Sequence, residues 1–329
     1  MSNLAPTLQA FFTDRLVRQR QASAHTIAAY RDTYKLLLTF ATQRTGTQPS
    51  RLQIADLDAD LISAFLDHLE QDRGNSVRTR NARLAAVHSL FGYAALSHPQ
   101  DAAVIQRVLA IPPKRFDQTL ITYLTETEAE ALLATPNPAT WTGRRDHALL
   151  ALAIHSGLRV SELTCLTRAD VHLGTGPHIS CLGKGRKQRI TPLTTDVVTV
   201  LGAWLAEHTG SPGDPVFPTR RGTRLSPDAV QQRLTTYATT AARACPTLAE
   251  KKISPHVLRH TAAMRLLAAG VDTTVIALWL GHDNVATTQI YIHADLAVKE
   301  RALARTAPLG TTPGRYQPPD PVLGFLEAL

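Results

Sequence analysis

Residues 256–291 read HVLRHTAAMRLLAAGVDTTVIALWLGHDNVATTQIY, and this stretch sets the character of the C-terminal part. Val271 to Leu280 carries an apolar helical pattern that stops at Gly281, a residue suited to a left-handed helix end. Asn284 is a plausible N-cap for a following helix that carries Tyr291. His282 then falls in the turn between two helices. Upstream, His256, Arg259 and His260 sit within a single helical turn or so of one another.

Working outward, the helix Asp146 to Ser156 is expected to end at Gly157 and lead into GLRVSEL (157–163). His178–Leu182 and Arg186–Pro192 flank Gly183-Lys184-Gly185, the pattern of a β-hairpin with a basic turn. Thr125 with Glu128 makes a capping box for a helix through Leu133. Otherwise the chain after the hairpin reads as helical to about Arg305. The tail from Thr306 is rich in Pro and Gly, then closes on an apolar cluster of Val322, Leu323, Phe325, Leu326 and Leu329.

The N-terminal third also reads as helices. Leu8, Phe11, Phe12 and Leu16 recur at helical spacing, and Ala24 to Phe40 follows with Ile27, Tyr30, Tyr34, Leu37 and Leu38 on one stripe. The segment from Thr45 to Ser50 breaks the pattern. Leu61 to Leu69 is a third helix and Ser76 to Leu96 a fourth. That last helix sets Arg78, Arg80 and Arg83 against Leu84, Val87, Leu90 and Phe91. The arginines are either a solvated face or a face laid against DNA phosphates. Pro99, Pro112, Pro113, Lys114 and Arg115 mark the region 97–118 as linker.

Bulk properties narrow the class. The 329 residues are enough for two domains with cores of their own. The net charge of +8 favours a polyanionic partner. Its excess leans to the N-terminal third, with 14 Lys and Arg against 9 Asp and Glu in residues 1–115. Cys165, Cys181 and Cys245 are widely spaced and form no CxxC, so neither a disulfide framework nor a cysteine zinc site is expected. No apolar run reaches membrane-span length and the N-terminus has no signal-peptide core, so the expected location is cytoplasmic.

Taken in order, Arg159, Lys184, His256-x-x-Arg259, His282 and Tyr291, with the contexts GLRVSEL, GKGRKQR, HVLRH, LGH and TTQIYIH, resemble the tyrosine recombinase (phage integrase) family, nearest its Xer-like and mobile-element branch. The resemblance implies a mainly α fold with a small β hairpin or sheet, in two domains shaped as a C-shaped clamp. The expected division is a helical core-binding domain at 1–112, a linker at 113–118, a catalytic domain at 119–305 and a C-terminal tail for subunit contact at 306–329.

It also implies roles. Arg159 and Arg259 would clamp the scissile phosphate, Lys184 would protonate the leaving 5′ oxygen, His256 and His282 would hydrogen-bond the phosphate or move protons, and Tyr291 would attack phosphorus. Glu162 and His260 would act in support. Arg78, Arg80, Arg83, Arg186, Lys187 and Arg189 are the expected DNA contacts. The chemistry suits these residue types. Fixed cations offset the charge that develops on phosphoryl oxygens, and the planar fork of Arg matches two oxygens at once. A phenol with an ordinary pKa of about 10 needs a base or a positive field to attack.

No cofactor and no metal are expected, since near Tyr291 only Asp283 and Asp295 offer carboxylates and they are far apart in sequence. The expected partners are double-stranded DNA recombination sites and a homo-tetramer assembled on them. The tail either docks on a neighbouring protomer or packs on its own domain. A type IB topoisomerase activity and a non-catalytic DNA-binding regulator with the same fold are the alternatives.

Overall fold

The computed structural model describes residues 3–116, 121–182, 188–207, 209–281, 288 and 291. It is mostly helical, with one small sheet, and divides into two compact units, Met1–Gln118 and Thr119–Leu329.

In the first unit α1 (Leu4–Ala10) runs directly into a π-helix, Phe11–Gln19. The wider turn explains why Phe11 and Leu16, five residues apart, are both buried, which ordinary helical spacing does not predict. Four helices follow: α2 (Ala24–Thr45), α3 (Ala59–Gln71), α4 (Val77–Ala94) and α5 (Ala102–Leu109). Ser23, Asp58 and Ser76 cap α2, α3 and α4 with side-chain oxygens. Helix α2 stops at Gly46, with φ 71°. Tyr34, Leu37, Phe65, Leu66, Val87 and Phe91 share one core with Ile105 and Val108.

Helix α5 corrects the expectation of linker from residue 97. Eight residues are too short to show a clear period, yet Ile105 and Val108 lie on one face and are fully buried. The segment beyond it is also tied to this unit. Lys114 pairs with Glu70, its N–H donates to Asn81 Oδ1, and its carbonyl accepts from Asn81 Nδ2. Arg78 stacks over the Phe116 ring, 4.9 Å from the centroid.

The second unit opens with α6 (Glu126–Leu133), where Thr125 and Glu128 form the expected capping box. Helix α7 (Trp141–Ser156) lies at the centre and packs against α9 (Thr195–Glu207) and α11 (Pro255–Ala268). The short α8 (Val160–Cys165) follows α7. Three antiparallel strands run in order β1 (Val171–His172), β2 (His178–Leu182) and β3 (Gln188–Pro192), with Cys181 opposite Arg189. The β2–β3 pair bears out the hairpin reading; its turn lies outside the described residues, and two-residue β1 is too short to carry a sequence signal. The remaining helices are α10 (Pro227–Ala241) and α12 (Thr273–Leu280).

The chain is not continuously helical after the hairpin. Between α9 and α10 it forms irregular structure with Val216, Phe217 and Leu225 buried. Pro212, Pro215 and Pro218 lack the N–H a helix needs, and Arg145 Nη1 donates to the Pro218 carbonyl at 2.7 Å. The main core gathers Leu149, Leu152, Leu163, Ile179, Leu201, Trp204, Val216, Leu234 and Leu258. A smaller cluster joins Ala263, Met264, Leu267, Ile276 and Leu280 to Tyr291. No described helix is long and apolar enough to cross a membrane.

Candidate active site

Two helix ends build the site. Helix α7 stops at Gly157, whose φ of 63° is left-handed, and α12 stops at Gly281, with φ 64°. The last carbonyls of a helix have no partner inside it and carry partial negative charge. Here arginines supply the partners. Arg259 Nη1 donates to the Gly157 carbonyl at 2.7 Å, and Nη2 to the Leu280 carbonyl at 2.6 Å. Arg159 Nη2 donates to the Gly281 carbonyl at 2.9 Å. Trp279 Nε1 donates to the Ser156 carbonyl at 3.1 Å and fastens α12 to the same end of α7.

Arg159 is the N-cap residue of α8, in extended conformation, and one turn later Glu162 reaches back to it. Glu162 Oε2 accepts from the Arg159 N–H at 2.8 Å and Oε1 accepts from Arg159 Nη1 at 2.9 Å. The carboxylate also accepts from Arg189 Nη2 at 2.7 Å. Arg189 Nη1 bonds to the Leu280 carbonyl that Arg259 uses. Two guanidinium groups therefore bind one buried carboxylate while a third, Arg259, shares a carbonyl with Arg189, and the excess of positive charge suits an anion.

Arg259 is buried, and its pKa is pushed down to about 10, first by burial and then by Arg159 and Arg189. It still carries its charge at neutral pH. Arg159 is the more open of the pair, with its side chain 26% exposed.

Helix α11 starts at Pro255 with Ser254 as N-cap, and places His256, Arg259 and His260 on adjacent turns. His260 Nδ1 lies 3.1 Å from the Tyr291 hydroxyl, with the rings 5.6 Å apart and 64° between planes. His256 is exposed, its ring 6.3 Å from that of His260. Burial, followed by His256 and Arg259, depresses the His260 pKa to about 4, so the imidazole is neutral at pH 7. Tyr291 is 1% exposed. Burial raises the pKa of its phenol, and Arg259 opposes that rise.

The structure thus brings Arg159, Glu162, Arg259, His260 and Tyr291 into one constellation, with His256 at its rim. Lys184, His282, Arg186 and Lys187 lie outside the described residues, as do Asp283, Asp295 and the tail. His260, expected only in support, is the histidine among the described residues that meets the Tyr291 hydroxyl. Its spacing of four from His256 puts both on one face, but sequence does not say which one faces the tyrosine.

Arg189, expected at DNA, has its side chain turned inward and 10% exposed. Of the three α4 arginines, Arg78 is exposed and Arg83 half-buried. Arg80 is 5% exposed and donates to Asn81 and to the Pro112 carbonyl, so it is part of the packing of its unit and not of an open basic face. Among the described residues no group of three or more His, Cys, Asp or Glu could hold a metal.

Comparison with known proteins gives the family and the fold. The chain matches the phage integrase family over residues 122–297 and the N-terminal SAM-like domain of phage integrases over residues 10–98. It is 52% identical to an integrase/recombinase, y4rC, of Sinorhizobium fredii, across 100% of this chain and 99% of the relative. It is 36% identical to the tyrosine recombinase XerC of Xanthomonas campestris pv. campestris, across 86% of this chain and 83% of that one.

Among solved structures, the fold is shared with XerH site-specific recombinase bound to its palindromic difH substrate. The TM-score is 0.65 at 22% identity, covering 87% of this chain and 81% of that one. The Tn1549 transposon integrase in complex with circular intermediate DNA gives a TM-score of 0.69 at 16% identity, covering 93% and 100%. The fold is that of two-domain tyrosine recombinases. The chain belongs to the phage integrase family of tyrosine recombinases, a class of enzymes that cleave and rejoin DNA.

Proposed function

We propose that this protein is a site-specific DNA recombinase that works through a covalent 3′-phosphotyrosine at Tyr291. The observation that carries the reading is the pairing of a buried phenol, hydrogen-bonded to His260, with the Arg159–Arg259 clamp beside it.

In the reaction the two guanidinium groups hold the non-bridging oxygens of the scissile phosphate and offset charge as it develops there. The Tyr291 oxygen forms a bond to phosphorus while the bond to the 5′ oxygen breaks. The phenol proton leaves through a histidine, and the departing 5′ oxygen takes a proton from Lys184. The energy of the broken diester stays in the phosphotyrosine ester, so a 5′ hydroxyl from a second duplex can reverse the step without ATP. Repeated on two duplexes, this passes through a Holliday junction and needs four protomers. The tail from residue 306 is assigned to contact between them. Arg78, Arg83, Arg186 and Lys187 serve as phosphate contacts.

A nicked duplex that loses its short 5′ fragment after cleavage tests the reading. Wild type should become covalently attached to DNA, while Tyr291→Phe should bind and not attach. A wild type that binds but never attaches would instead be a regulator. Relaxation of supercoiled plasmid that holds no paired sites would point to a type IB topoisomerase.

A further inference from the structure

We propose that Arg189 is a positioning residue of the cleavage reaction, acting on both clamp arginines at once and not on DNA. The inference rests on the recombinase reading above.

The Arg189 guanidinium touches a partner of each clamp arginine. Nη2 bonds to Glu162 Oε2 at 2.7 Å, and the other oxygen of that carboxylate holds Arg159 at 2.9 Å. Nη1 bonds to the Leu280 carbonyl, which also accepts from Arg259. Arg189 therefore has one partner in common with each clamp arginine. It is the only one among the described residues that joins strand β3 to both α8 and the end of α12 through a side chain. The ring closes through Arg159, whose Nη2 reaches the next carbonyl, that of Gly281.

Charge balance gives the arrangement a second function. With Arg189 in place, Glu162 neutralises one of three cations and cannot collapse fully onto Arg159. Without Arg189, Glu162 Oε2 keeps only the Arg159 N–H, the carboxylate can shift toward the Arg159 guanidinium, and the fork that must meet phosphate turns toward Glu162. The Leu280 carbonyl would then hold Arg259 alone. The loss is one of aim more than of affinity. Displacement of a catalytic group by about 1 Å can cost about a hundredfold in rate.

The strand placement explains why an arginine is needed. Arg189 sits opposite Cys181 on the buried side of the hairpin, and burial pushes the Cys181 thiol pKa up while Arg189 opposes that. A lysine at this position has one ammonium group and no fork, so it can keep the bond to Glu162 or the bond to Leu280, but not both in the same geometry.

The test uses the full-length protein and the nicked duplex, with Arg189→Met and Arg189→Lys. At saturating DNA, Arg189→Met should attach about a hundredfold more slowly than wild type. Its DNA affinity and the slope of log affinity against log salt should stay as in wild type. Arg189→Lys should recover part of the rate, and it carries the test if the Met variant melts early. In a Glu162→Gln background, Arg189→Met should cost far less, because the shared carboxylate is gone.

A salt slope reduced by about one, with an unchanged rate at saturation, would make Arg189 a phosphate contact and overturn the proposal. Equal losses in the wild-type and Glu162→Gln backgrounds would overturn it too. A wild type that never attaches would sink the recombinase reading itself, a result separable from both.

Discussion

His260 and Tyr291 form a pair whose proton affinities are set far apart. The imidazole is depressed to about 4 and the phenol raised, so the 3.1 Å contact joins two neutral groups at pH 7. In the DNA-free protein this bond aims the hydroxyl; it does not ionise it. The same shift predicts a stability effect. The folded pKa lies below the ordinary value of 6.5, so the unfolded chain binds the proton first as pH falls. The stabilisation is complete above pH 6.5 and is lost progressively down to about 4, by on the order of 1–3 kcal/mol after allowing for partial solvent screening.

The half-buried His88 and His155 are depressed as well and act in the same window. The contrast between wild type and His260→Gln isolates one share. Thermal melts between pH 4 and 7 should fall more steeply for wild type, and identical slopes would refute the assignment. At this scale the sequence was informative about residue type and order. Arg159, Arg259 and Tyr291 were all legible. It could not show that His260 and not His256 meets the phenol, or that Arg189 and Arg80 turn inward. Those facts depend on which side of a strand or helix faces the core, and a charged side chain does not announce its own burial.

Among the elements, the helix ends were the easiest to read and matter most to the site. Gly157 is at φ 63°, and a Cβ there would lie 2.7 Å from Leu280 Cδ2 and 3.1 Å from the Ala262 Cβ. Its carbonyl also holds Arg259. Gly157→Ala should therefore cost about 1–3 kcal/mol in a denaturant titration and slow covalent attachment disproportionately. A variant with wild-type rate would show that the Gly157 carbonyl is not what aims Arg259. Capping boxes and glycine stops are legible because their chemistry is local.

Helix α5 was not legible, because eight residues between prolines give no period, and its role comes from distant partners. Ile105→Ala decides between core and linker. Burial in the first unit predicts a loss of about 2–5 kcal/mol, measured by chemical unfolding. A loss under about 0.5 kcal/mol is what an exposed linker would give.

At the scale of the molecule, the charge of +8 and the two compact units set what DNA binding should look like. Phosphate contacts release counterions, so affinity should fall steeply and linearly on a log–log plot against salt. Exposed Arg78 should contribute to that slope, and buried Arg80 should not. Binding one site is still not recombination, which in the proposed scheme takes four cuts and four protomers held together. The sequence offers one segment for that contact, the apolar cluster of Val322, Leu323, Phe325, Leu326 and Leu329 beyond a Pro- and Gly-rich stretch. Such a cluster gains by leaving water only if it finds a surface, on its own unit or on a neighbour.

Deleting the chain from Asp320 onward separates the two. If the cluster docks on a neighbour, the truncated protein should melt as wild type does, bind a single site with unchanged affinity and still attach to the nicked duplex. Paired-site complexes on a native gel, and recombinant product, should be lost together. If it packs on its own unit, the truncation should lower the melting temperature and weaken every step in proportion. Full recombination by the truncated protein would remove the tail from assembly altogether.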